Sequence, residues 1–434
     1  MEASDRAESV DVLSAWVRDA RRRTLDLTDD LDDEQLIGPK LPTVNPLLWE
    51  MGHAAWFQEY WVLQHACGGK PMRPDSHTFF DSIGIAHDVR WDLPLPNRDA
   101  TIRYICDVRD NVLDALSQRP LTKQLIYFVK LSVFHEDMHT EAFTYTRQTH
   151  GYPQPALPGV APDSPAAPAQ PCRNDVAFAG GTLRLGAARA APGAFDNEQW
   201  EHAVTVAPFA MARTAVTQGE LAEFVEDGGY RRREFWCDDG WEWREQTQAE
   251  HPVFWKRGSN GNWLRRHFDR WLRLEPHLAA NHVNWFEAGA FCRWAGRRLP
   301  TESEWELAAK GLGGRSHYPW GEEAPADEQA NLDWQAMGPV DVAAHPAGDS
   351  DAGCRQMIGN VWEWTASTFG PYPGFQPGPY TEYSRPCFGE CKVLRGGCWA
   401  TRSRMIRNTW RNYYTPDRRD VFAGFRTCPR ANHE

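Results

Sequence analysis

Apolar residues recur every three to four positions along four stretches near the start of the chain, which is the spacing of amphipathic helices. The first stretch covers 10–29. The second begins at Asn45-Pro46, where an asparagine cap followed by proline marks a helix start. The third begins near Asn97, and the fourth runs from about 121 to 148. Four amphipathic helices of this length predict a four-helix bundle.

The pattern changes after a stretch that is rich in proline and alanine, which is typical of a semi-stiff interdomain linker. Beyond it, short β-like runs alternate with loops rich in Gly, Trp and Asn, and two short helical regions are predicted near 217–227 and 285–310. We therefore predict an α+β protein with a helical bundle over 1–155, a linker over 156–173 and a mixed domain over 174–434.

Composition narrows the class of protein and its partners. Hydrophobic residues make up 41% of the chain and charged residues 24%, which suits packed cores and argues against disorder. The formal net charge of −12 repels phosphate backbones, so we expect no nucleic-acid partner. No apolar run approaches the roughly 18 residues of a membrane span. The acidic N-terminal stretch lacks the apolar core of a signal peptide, so we expect a cytoplasmic protein without a membrane partner.

Three histidines form a candidate metal site in the predicted bundle. The segment FHEDMHTEA places His135 and His139 four residues apart, on one face of the fourth helix. His53 lies on the inward stripe of the second helix, and facing helices of a bundle can direct three imidazoles to one point. Three neutral imidazoles suit Zn, Cu or Fe(II) and leave coordination positions open. The simpler alternative is that these histidines are core residues with satisfied hydrogen bonds.

The same segment also fits the H-E-x-x-H pattern of zinc proteases, with Glu136 as the general base. That pattern normally works within a metalloprotease architecture, which the predicted second domain does not resemble. Glu136, Asp137 and Glu141 are alternatively candidates to orient a ligand histidine through its second ring nitrogen. The ten cysteines are scattered without a C-x-x-C pair, which disfavours a zinc knuckle.

Six phrases of the second domain resemble the formylglycine-generating enzyme and sulfatase-modifying fold. In chain order they are MARTAVTQGELAEFV (211–225), NHVNWFEAGAFCRWAGRRLPTESEWELAAKG (281–311), YPWGEE (318–323), GNVWEWT (359–365), VLRGGCWA (393–400) and FAGFR (422–426). The resemblance implies a C-type-lectin-like fold with much irregular backbone. Within these phrases we expect Trp305, Trp362 and Trp364 in the core, and Gly396-Gly397 where backbones approach closely or φ is positive.

The first domain resembles a DinB-like bundle through NPLLWEMGHAAWFQEYW (45–61) and FHEDMHTEA (134–142). A DinB-like bundle fused to this second domain resembles the ergothioneine-biosynthetic sulfoxide synthases of the EgtB type. Close relatives of that group are the OvoA-type enzymes and the selenoneine synthases of the SenA type. The resemblance covers nearly the whole chain and implies that His53, His135 and His139 are the three iron ligands.

The resemblance also implies an oxidative reaction on hercynine, the trimethylated betaine of histidine. In this family Fe(II), O2 and a thiolate donor are brought together, a C–S bond forms at the imidazole, and the sulfur leaves as a sulfoxide. The selenoneine synthases use a selenosugar as the donor. Iron coordination favours the deprotonated donor, an aromatic or anionic wall suits the quaternary ammonium, and a proton donor must be within reach.

Three predicted substrate-binding residues lie where this chain departs from the family pattern. Actinobacterial members carry the motif R-N-W-D, whose Asp meets the cationic substrate, whereas this chain reads Arg411-Asn412-Tyr413-Tyr414. The aromatic face of Tyr414 can replace that carboxylate by a cation–π contact, worth roughly 0.5–2 kcal/mol. Tyr413 replaces the Trp, and both tyrosines are alternatively packing residues. Met138 stands where those enzymes have Gln before the second histidine of the pair.

The proton donor and the donor-binding residue are also inferred from the resemblance. The family's catalytic tyrosine belongs to a loop matching YPGFQPGPYTEYS (372–384), in which Tyr380 is the best candidate and Tyr383 the alternative. Members that use γ-glutamylcysteine hold its carboxylates with two arginines, but the matching stretch 79–96 has only Arg90, with His87 nearby. This favours cysteine or a neutral selenosugar as the donor, with Arg90 binding at most one carboxylate.

Two other classes of function compete with this hypothesis. A formylglycine-generating oxidase uses a late pair of cysteines and copper, but Cys398 and Cys428 lie outside that pattern and the three histidines would be unexplained. A non-catalytic alternative is a lectin-like binding module fused to a metal-stabilised bundle, which would bind metal without consuming O2. We favour the iron-dependent coupling enzyme because it accounts for both domains.

Overall fold

The chain divides into two compact units, Met1–Gly159 and Val160–Glu434, in a computed structural model. The structure describes residues 9–160, 174–188, 191, 193–312 and 316–430. Most of the linker predicted over 156–173 lies outside the described residues, so that prediction stays open. The first unit is helical and the second combines helices with small sheets, which confirms the α+β class.

Long helices dominate the first unit. In chain order they are α1 (Val10–Asp26), α2 (Asp33–Ile37), α3 (Leu47–Gln58), α4 (Ser76–Phe80), α5 (Arg98–Gln118) and α6 (Lys123–His150). Helices α1 and α3 each pack against both α5 and α6, and these four form the bundle expected from the apolar spacing. Helix α3 continues directly into a π-helix, Glu59–Ala66.

The bundle helices begin at conventional capping residues, with one exception. Side chains of Ser9, Asn97 and Thr122 accept hydrogen bonds from backbone N–H groups in the first turns of α1, α5 and α6. At α3, however, Pro46 occupies the N-cap position, and the Asn45 amide oxygen accepts a hydrogen bond from Arg90 Nη1 at 2.7 Å. The prediction that Asn45 caps this helix is therefore wrong, because a distant guanidinium binds its side chain instead.

Short strands organise the second unit into several small sheets. The strands are β1 (Asp175–Phe178), β2 (Gly181–Leu185), β3 (His202–Val206), β4 (Phe209–Ala212), β5 (Trp255–Arg257), β6 (Trp263–His267), β7 (Arg270–Arg273), β8 (Arg297–Arg298), β9 (Trp362–Thr368), β10 (Lys392–Arg395), β11 (Asn412–Tyr414), β12 (Ala423–Gly424) and β13 (Cys428–Pro429). The largest sheet has the order β11-β10-β9-β12. In it β10 pairs antiparallel with β9 and β11, whereas β12 pairs parallel with β9.

The helices of this unit differ from the predicted ones in two ways. They are α7 (Gln218–Glu226), α8 (Asp238–Thr247), α9 (Trp285–Trp294) and α10 (Glu302–Lys310). The helical region predicted over 285–310 is two helices separated by β8, because Gly296 adopts φ +68° after α9 and a Thr301–Glu304 capping box starts α10. Helix α8 and the sheet β5-β6-β7 were not predicted, since their Trp- and charge-rich sequences lack a clear apolar period.

Large aromatic side chains form the core around the central sheet, as expected from the family phrases. Trp305, Trp362 and Trp364 each have 0% exposure. The indole of Trp305 donates to Glu363 Oε2 at 2.8 Å, so its polar edge is satisfied inside the core. Gly396 adopts φ +99°, and a Cβ there would lie 2.6 Å from the Met357 carbonyl oxygen, which explains the glycine at this position.

His282 is a buried histidine of this core whose titration should influence stability. Its ring lies against Phe254 and Phe422, and its Nδ1–H donates to the Asp420 carbonyl at 3.1 Å. Burial is the largest cause that lowers the pKa of His282 to about 3. The unfolded chain binds a proton here below about pH 6.5, whereas the folded chain does not. The folded state therefore loses stability as pH falls from about 6.5 towards 3.

We predict that His282→Asn flattens this pH dependence. Asparagine tolerates the left-handed backbone at this position, φ +59°, and does not titrate. Between pH 6 and 5 the free energy of unfolding of the natural chain should fall by up to about 1.4 kcal/mol more than that of the variant. Urea denaturation at several pH values measures both slopes. Equal slopes would mean that His282 is protonated in the folded protein.

Candidate metal centre

The structure brings the three predicted histidines together inside the bundle. His53 projects from α3, and His135 and His139 project from α6, with one nitrogen of each lying within 4.8 Å of the others. The Nε2 atoms of His135 and His139 are 3.3 Å apart. Two nitrogens bound at about 2.1 Å to one ion, at roughly a right angle, are about 3 Å apart. The donor set therefore fits a single metal ion.

Hydrogen bonds at the opposite ring nitrogens orient two of these imidazoles. His53 Nδ1 donates to the Phe80 carbonyl oxygen at 2.7 Å, and His139 Nδ1 donates to Glu50 Oε1 at 2.5 Å. Each bond directs the remaining nitrogen, Nε2, towards the other histidines. A ligand histidine is held in this way at most metal sites, because the outer partner sets the tautomer and the ring orientation.

Aromatic rings pack against two of the three histidines and shield them from water. Trp49 stacks on His53 with centroids 4.9 Å apart, and Phe57 stacks on His135 at 3.7 Å. Burial is the first cause, and the neighbouring His139 the second, that holds the pKa values of His53 and His135 well below the usual range. Both imidazoles are consequently neutral at physiological pH, with lone pairs available to a metal.

The residues present fit a divalent metal of the first transition series. Three neutral imidazoles are typical ligands of Zn, Cu or Fe(II), and a three-residue donor set leaves positions open for other ligands. Glu50 is 1% exposed, and its hydrogen bond with His139 Nδ1 places one carboxylate directly behind a candidate ligand. That carboxylate compensates part of the charge of a bound cation.

Glu136 is not positioned to act as the general base of a zinc protease. Its carboxylate is 0% exposed and accepts hydrogen bonds from Arg21, at 2.7 and 3.1 Å, and from Thr24, at 2.8 Å. A general base must reach a water at the metal, but this carboxylate is bound in a buried ion pair. The structure thus argues against the zinc protease alternative.

Two predicted substrate-binding residues of the first unit lie close to the histidines. The Arg90 guanidinium lies 4.0 Å from the Trp49 ring, which itself stacks on His53. Its Nη atoms also donate to Asn45 and to two backbone carbonyls, so Arg90 is held in place on the first unit. Met138 is half-buried on α6, directly before His139. Their binding roles stay predictions.

Among the predicted site residues of the second unit, Tyr413 lies in a cluster with Tyr380 and Tyr383, whereas Tyr414 lies apart. Tyr413 donates through its hydroxyl to the Tyr383 carbonyl, and its ring stacks on Phe369 at 4.0 Å. The Tyr380 and Tyr383 rings are 6.0 Å apart. Tyr414 follows Tyr413 on β11, where successive side chains point to opposite faces, and its ring lies 4.9 Å from the Arg418 guanidinium.

Arg411, the first residue of the Arg411-Asn412-Tyr413-Tyr414 motif, has a structural role. Arg411 is 1% exposed, and its guanidinium binds Glu302 at 2.7 and 3.1 Å. It also donates to the carbonyls of Asn197 and Gly370, at 2.7 and 3.0 Å. These contacts connect β11 to α10 and to two loops, and so fix the strand that carries Tyr413 and Tyr414.

The residues that orient the histidines were not predicted from the sequence. The predicted carboxylates lie beside His135 and His139, but the orienting carboxylate is that of Glu50, on α3. Glu50 lies three residues before His53, so both side chains share one face of α3, and this spacing was the available signal. The Phe80 carbonyl had no signal in the sequence, because a backbone acceptor is identified only by the fold.

Comparisons with known proteins define the class to which these two units belong. Residues 17–142 match the DinB superfamily, and residues 160–431 match the sulfatase-modifying factor enzyme 1-like domain. The second part is also 32% identical, over 62% of this chain and 95% of the relative, to a formylglycine-generating enzyme of Streptomyces coelicolor. The chain is therefore a DinB-like bundle joined to a formylglycine-generating-enzyme-like domain.

Similarity over the whole length narrows the class to one family. The chain is 38% identical to the hercynine oxygenase of Mycolicibacterium thermoresistibile, over 95% of this chain and 94% of that protein. It is 37% identical to the hercynine oxygenase of Mycobacterium tuberculosis, over 96% and 98%. The chain belongs to the EgtB-type family of hercynine oxygenases and is an oxidoreductase. Among the described residues, no helix is both long and apolar enough to cross a membrane.

The contact between Glu50 and His139 generates a prediction about metal affinity. Glu50→Gln keeps the shape of the side chain but removes the charge that orients and polarises the imidazole. We expect anaerobic Fe(II) to bind about tenfold to a hundredfold more weakly. Titration with Fe(II) or Co(II), followed by absorption or calorimetry, measures the change.

Glu136→Gln is the matched control, because this carboxylate is equally buried in the same bundle but binds Arg21. It should lower the free energy of unfolding while the folded protein keeps its metal affinity. Equal metal affinity in Glu50→Gln and the natural chain would refute the orienting role.

Proposed function

We propose that this protein is a non-heme Fe(II)- and O2-dependent enzyme that forms a C–S or C–Se bond at the imidazole of hercynine. The reaction belongs to ergothioneine or selenoneine biosynthesis, with a cysteine-type thiol or a selenosugar as the donor. The observation that carries the proposal is the group of three imidazoles whose nitrogens lie within 4.8 Å of one another, in a chain that is 38% identical to a hercynine oxygenase along nearly its full length.

The residues of the first unit would bind and orient the metal. His53, His135 and His139 are the proposed ligands, and a bound Fe(II) supplies O2 activation and coordination of a deprotonated thiol or selenol donor. Phe80 and Glu50 hold the imidazoles in their ligand orientation, as the hydrogen bonds at Nδ1 indicate. Trp49 and Phe57 keep water from two sides of the histidines, which favours chemistry of the bound reactants over side reactions.

The tyrosines of the second unit are proposed to serve the organic substrate. Tyr414 is proposed to offer an aromatic face to the trimethylammonium group, and the cationic guanidinium of Arg418 already lies 4.9 Å from this ring. The Tyr413 hydroxyl is engaged with Tyr383, so we assign Tyr413 a positioning role. Tyr380 remains the proposed proton donor, and Met138 is proposed to contribute an apolar contact beside the metal ligands.

The cysteines of the second unit do not favour the formylglycine-generating alternative. Copper binding in that chemistry requires thiolates. Burial raises the pKa of Cys428 to about 12, so this thiol is protonated at neutral pH. Cys398 is also buried and accepts a hydrogen bond from the Thr401 hydroxyl at 3.4 Å. The three histidines, which that alternative leaves without a role, are better explained by the iron enzyme.

We predict that His139→Ala lowers bound iron to less than about a tenth of the natural level and abolishes coupling, because two imidazoles do not retain Fe(II) under turnover conditions. The protein is loaded anaerobically with Fe(II), then mixed with O2, hercynine and donor, while O2 uptake and product mass are followed. His65→Ala is the matched control, since His65 is an exposed histidine of the π-helix that follows α3. Unchanged turnover in His139→Ala would refute the ligand assignment.

The choice of donor is tested by competition and by Arg90→Gln. Hercynine is offered cysteine, γ-glutamylcysteine and a selenosugar together, and products are identified by mass spectrometry. If cysteine is the donor, Arg90→Gln should raise its KM about tenfold, which corresponds to about 1.4 kcal/mol. The KM for a neutral selenosugar should change by less than about twofold, because it has no carboxylate. A γ-glutamyl product would contradict our interpretation of Arg90.

A further inference from the structure

Cys387 and Cys391 meet in a tight turn of the second unit, which we call the dithiol turn (387–391). The Cys391 N–H donates to the Cys387 carbonyl at 3.2 Å, and Gly389 between them adopts φ +86°. A backbone hydrogen bond from residue i+4 to residue i holds the two Cα atoms about 6 Å apart. Disulfides span about 4.4–6.8 Å between Cα atoms, so this backbone allows a bond between the two sulfurs.

The turn is fixed to the central sheet on both sides. Gly389 N donates to the Phe369 carbonyl at 2.9 Å, and Phe369 N donates to the Cys391 carbonyl at 2.8 Å. Cys391 also packs with Phe369 and Val393 in one apolar cluster, against which Cys387 and Phe388 lie. The two sulfurs therefore stay near each other without a movement of the surrounding strands.

The two thiols differ in exposure and in charge. Cys387 is half-buried, whereas Cys391 is 4% exposed. Cys391 donates an S–H hydrogen bond to the Cys387 sulfur, which lowers the pKa of Cys387 and raises the pKa of Cys391. The more accessible sulfur of Cys387 is thus the better nucleophile, whereas the buried sulfur of Cys391 remains a thiol.

We propose that the dithiol turn is a thiol–disulfide exchange site that reacts with low-molecular-weight disulfides such as glutathione disulfide. The Cys387 thiolate attacks one sulfur of the small disulfide, so that a mixed disulfide forms and one glutathione thiolate leaves. Cys391 then loses its proton, attacks the Cys387 sulfur and displaces the second glutathione. Two protein thiols are oxidised to one disulfide while one glutathione disulfide is reduced to two glutathiones.

Reaction of the Cys387 thiolate makes Cys391 easier to deprotonate for the second step. The largest cause that raises the pKa of Cys391 is the hydrogen bond it donates to Cys387. Once Cys387 is in a mixed disulfide, that negative acceptor is gone and Cys391 ionises more readily. The contact between the two thiols therefore makes Cys387 the attacking cysteine in the first step and Cys391 the resolving cysteine in the second. This inference does not depend on the proposed hercynine chemistry.

Another pair of buried cysteines provides a control within the same unit. Cys292 and Cys428 are 3% and 0% exposed, and burial raises the pKa of both thiols. Neither thiol forms an accessible thiolate at neutral pH, so this pair should not react with glutathione disulfide.

Differential alkylation of the full-length protein tests the proposal. The reduced protein is incubated with glutathione disulfide, quenched with N-ethylmaleimide under denaturing conditions, digested and analysed by mass spectrometry. We expect the peptide with Cys387 and Cys391 to be lighter by two hydrogen atoms and unalkylated at both sulfurs. Cys292 and Cys428 should be fully alkylated in the same sample.

Single substitutions separate the attacking cysteine from the resolving one. In Cys391→Ser, Cys387 should retain glutathione as a lasting mixed disulfide. In Cys387→Ser, the reaction at Cys391 should be at least about tenfold slower than oxidation of the natural turn. The proposal is overturned if both sulfurs of the natural protein stay alkylatable, or if its Cys387 accumulates the same lasting adduct as Cys391→Ser. The natural protein alone decides these outcomes if a variant fails to fold.

Discussion

Desolvation of His53 and His135 is the constraint on which the metal centre depends. Burying His53 and His135 disfavours their protonated forms, so the bundle gains a cluster of neutral nitrogen donors rather than a cluster of repelling cations. The Nε2 atoms of His135 and His139 can lie 3.3 Å apart because the buried His135 ring carries no charge that would repel its neighbour. The hydrogen bonds that His53 and His139 donate to Phe80 and Glu50 then determine which nitrogen of each ring remains available.

Buried guanidinium–carboxylate pairs have a comparable role in the second unit, where regular structure is sparse. Arg395 binds Glu302 at 2.8 Å and Glu306 at 2.5 Å, and Arg411 binds the same Glu302. Arg426 binds Glu363, which also accepts a hydrogen bond from the indole of Trp305. These planar donors also bind loop carbonyls, which would otherwise be buried without partners. The network thus holds irregular loops in one conformation, where strands and helices are too short to do so.

The two units therefore achieve fixed geometry by different means. In the bundle, helix periodicity sets side-chain direction, and a few outer contacts refine it. In the second unit, side-chain ion pairs position the strand that carries Tyr413 and Tyr414, and the dithiol turn is tied to that sheet through Phe369.

The sequence by itself determined the features that depend on local spacing. Helical periodicity predicted the bundle, the four-residue interval joined His135 to His139, and the family phrases indicated the core tryptophans. Only the tertiary structure decided the contacts between residues distant in sequence. Asn45 binds Arg90 rather than capping its helix, Glu136 pairs with Arg21, and Glu50 is the carboxylate that orients His139. Polar side chains have many possible partners of similar chemistry, and the packed fold selects one by distance and burial.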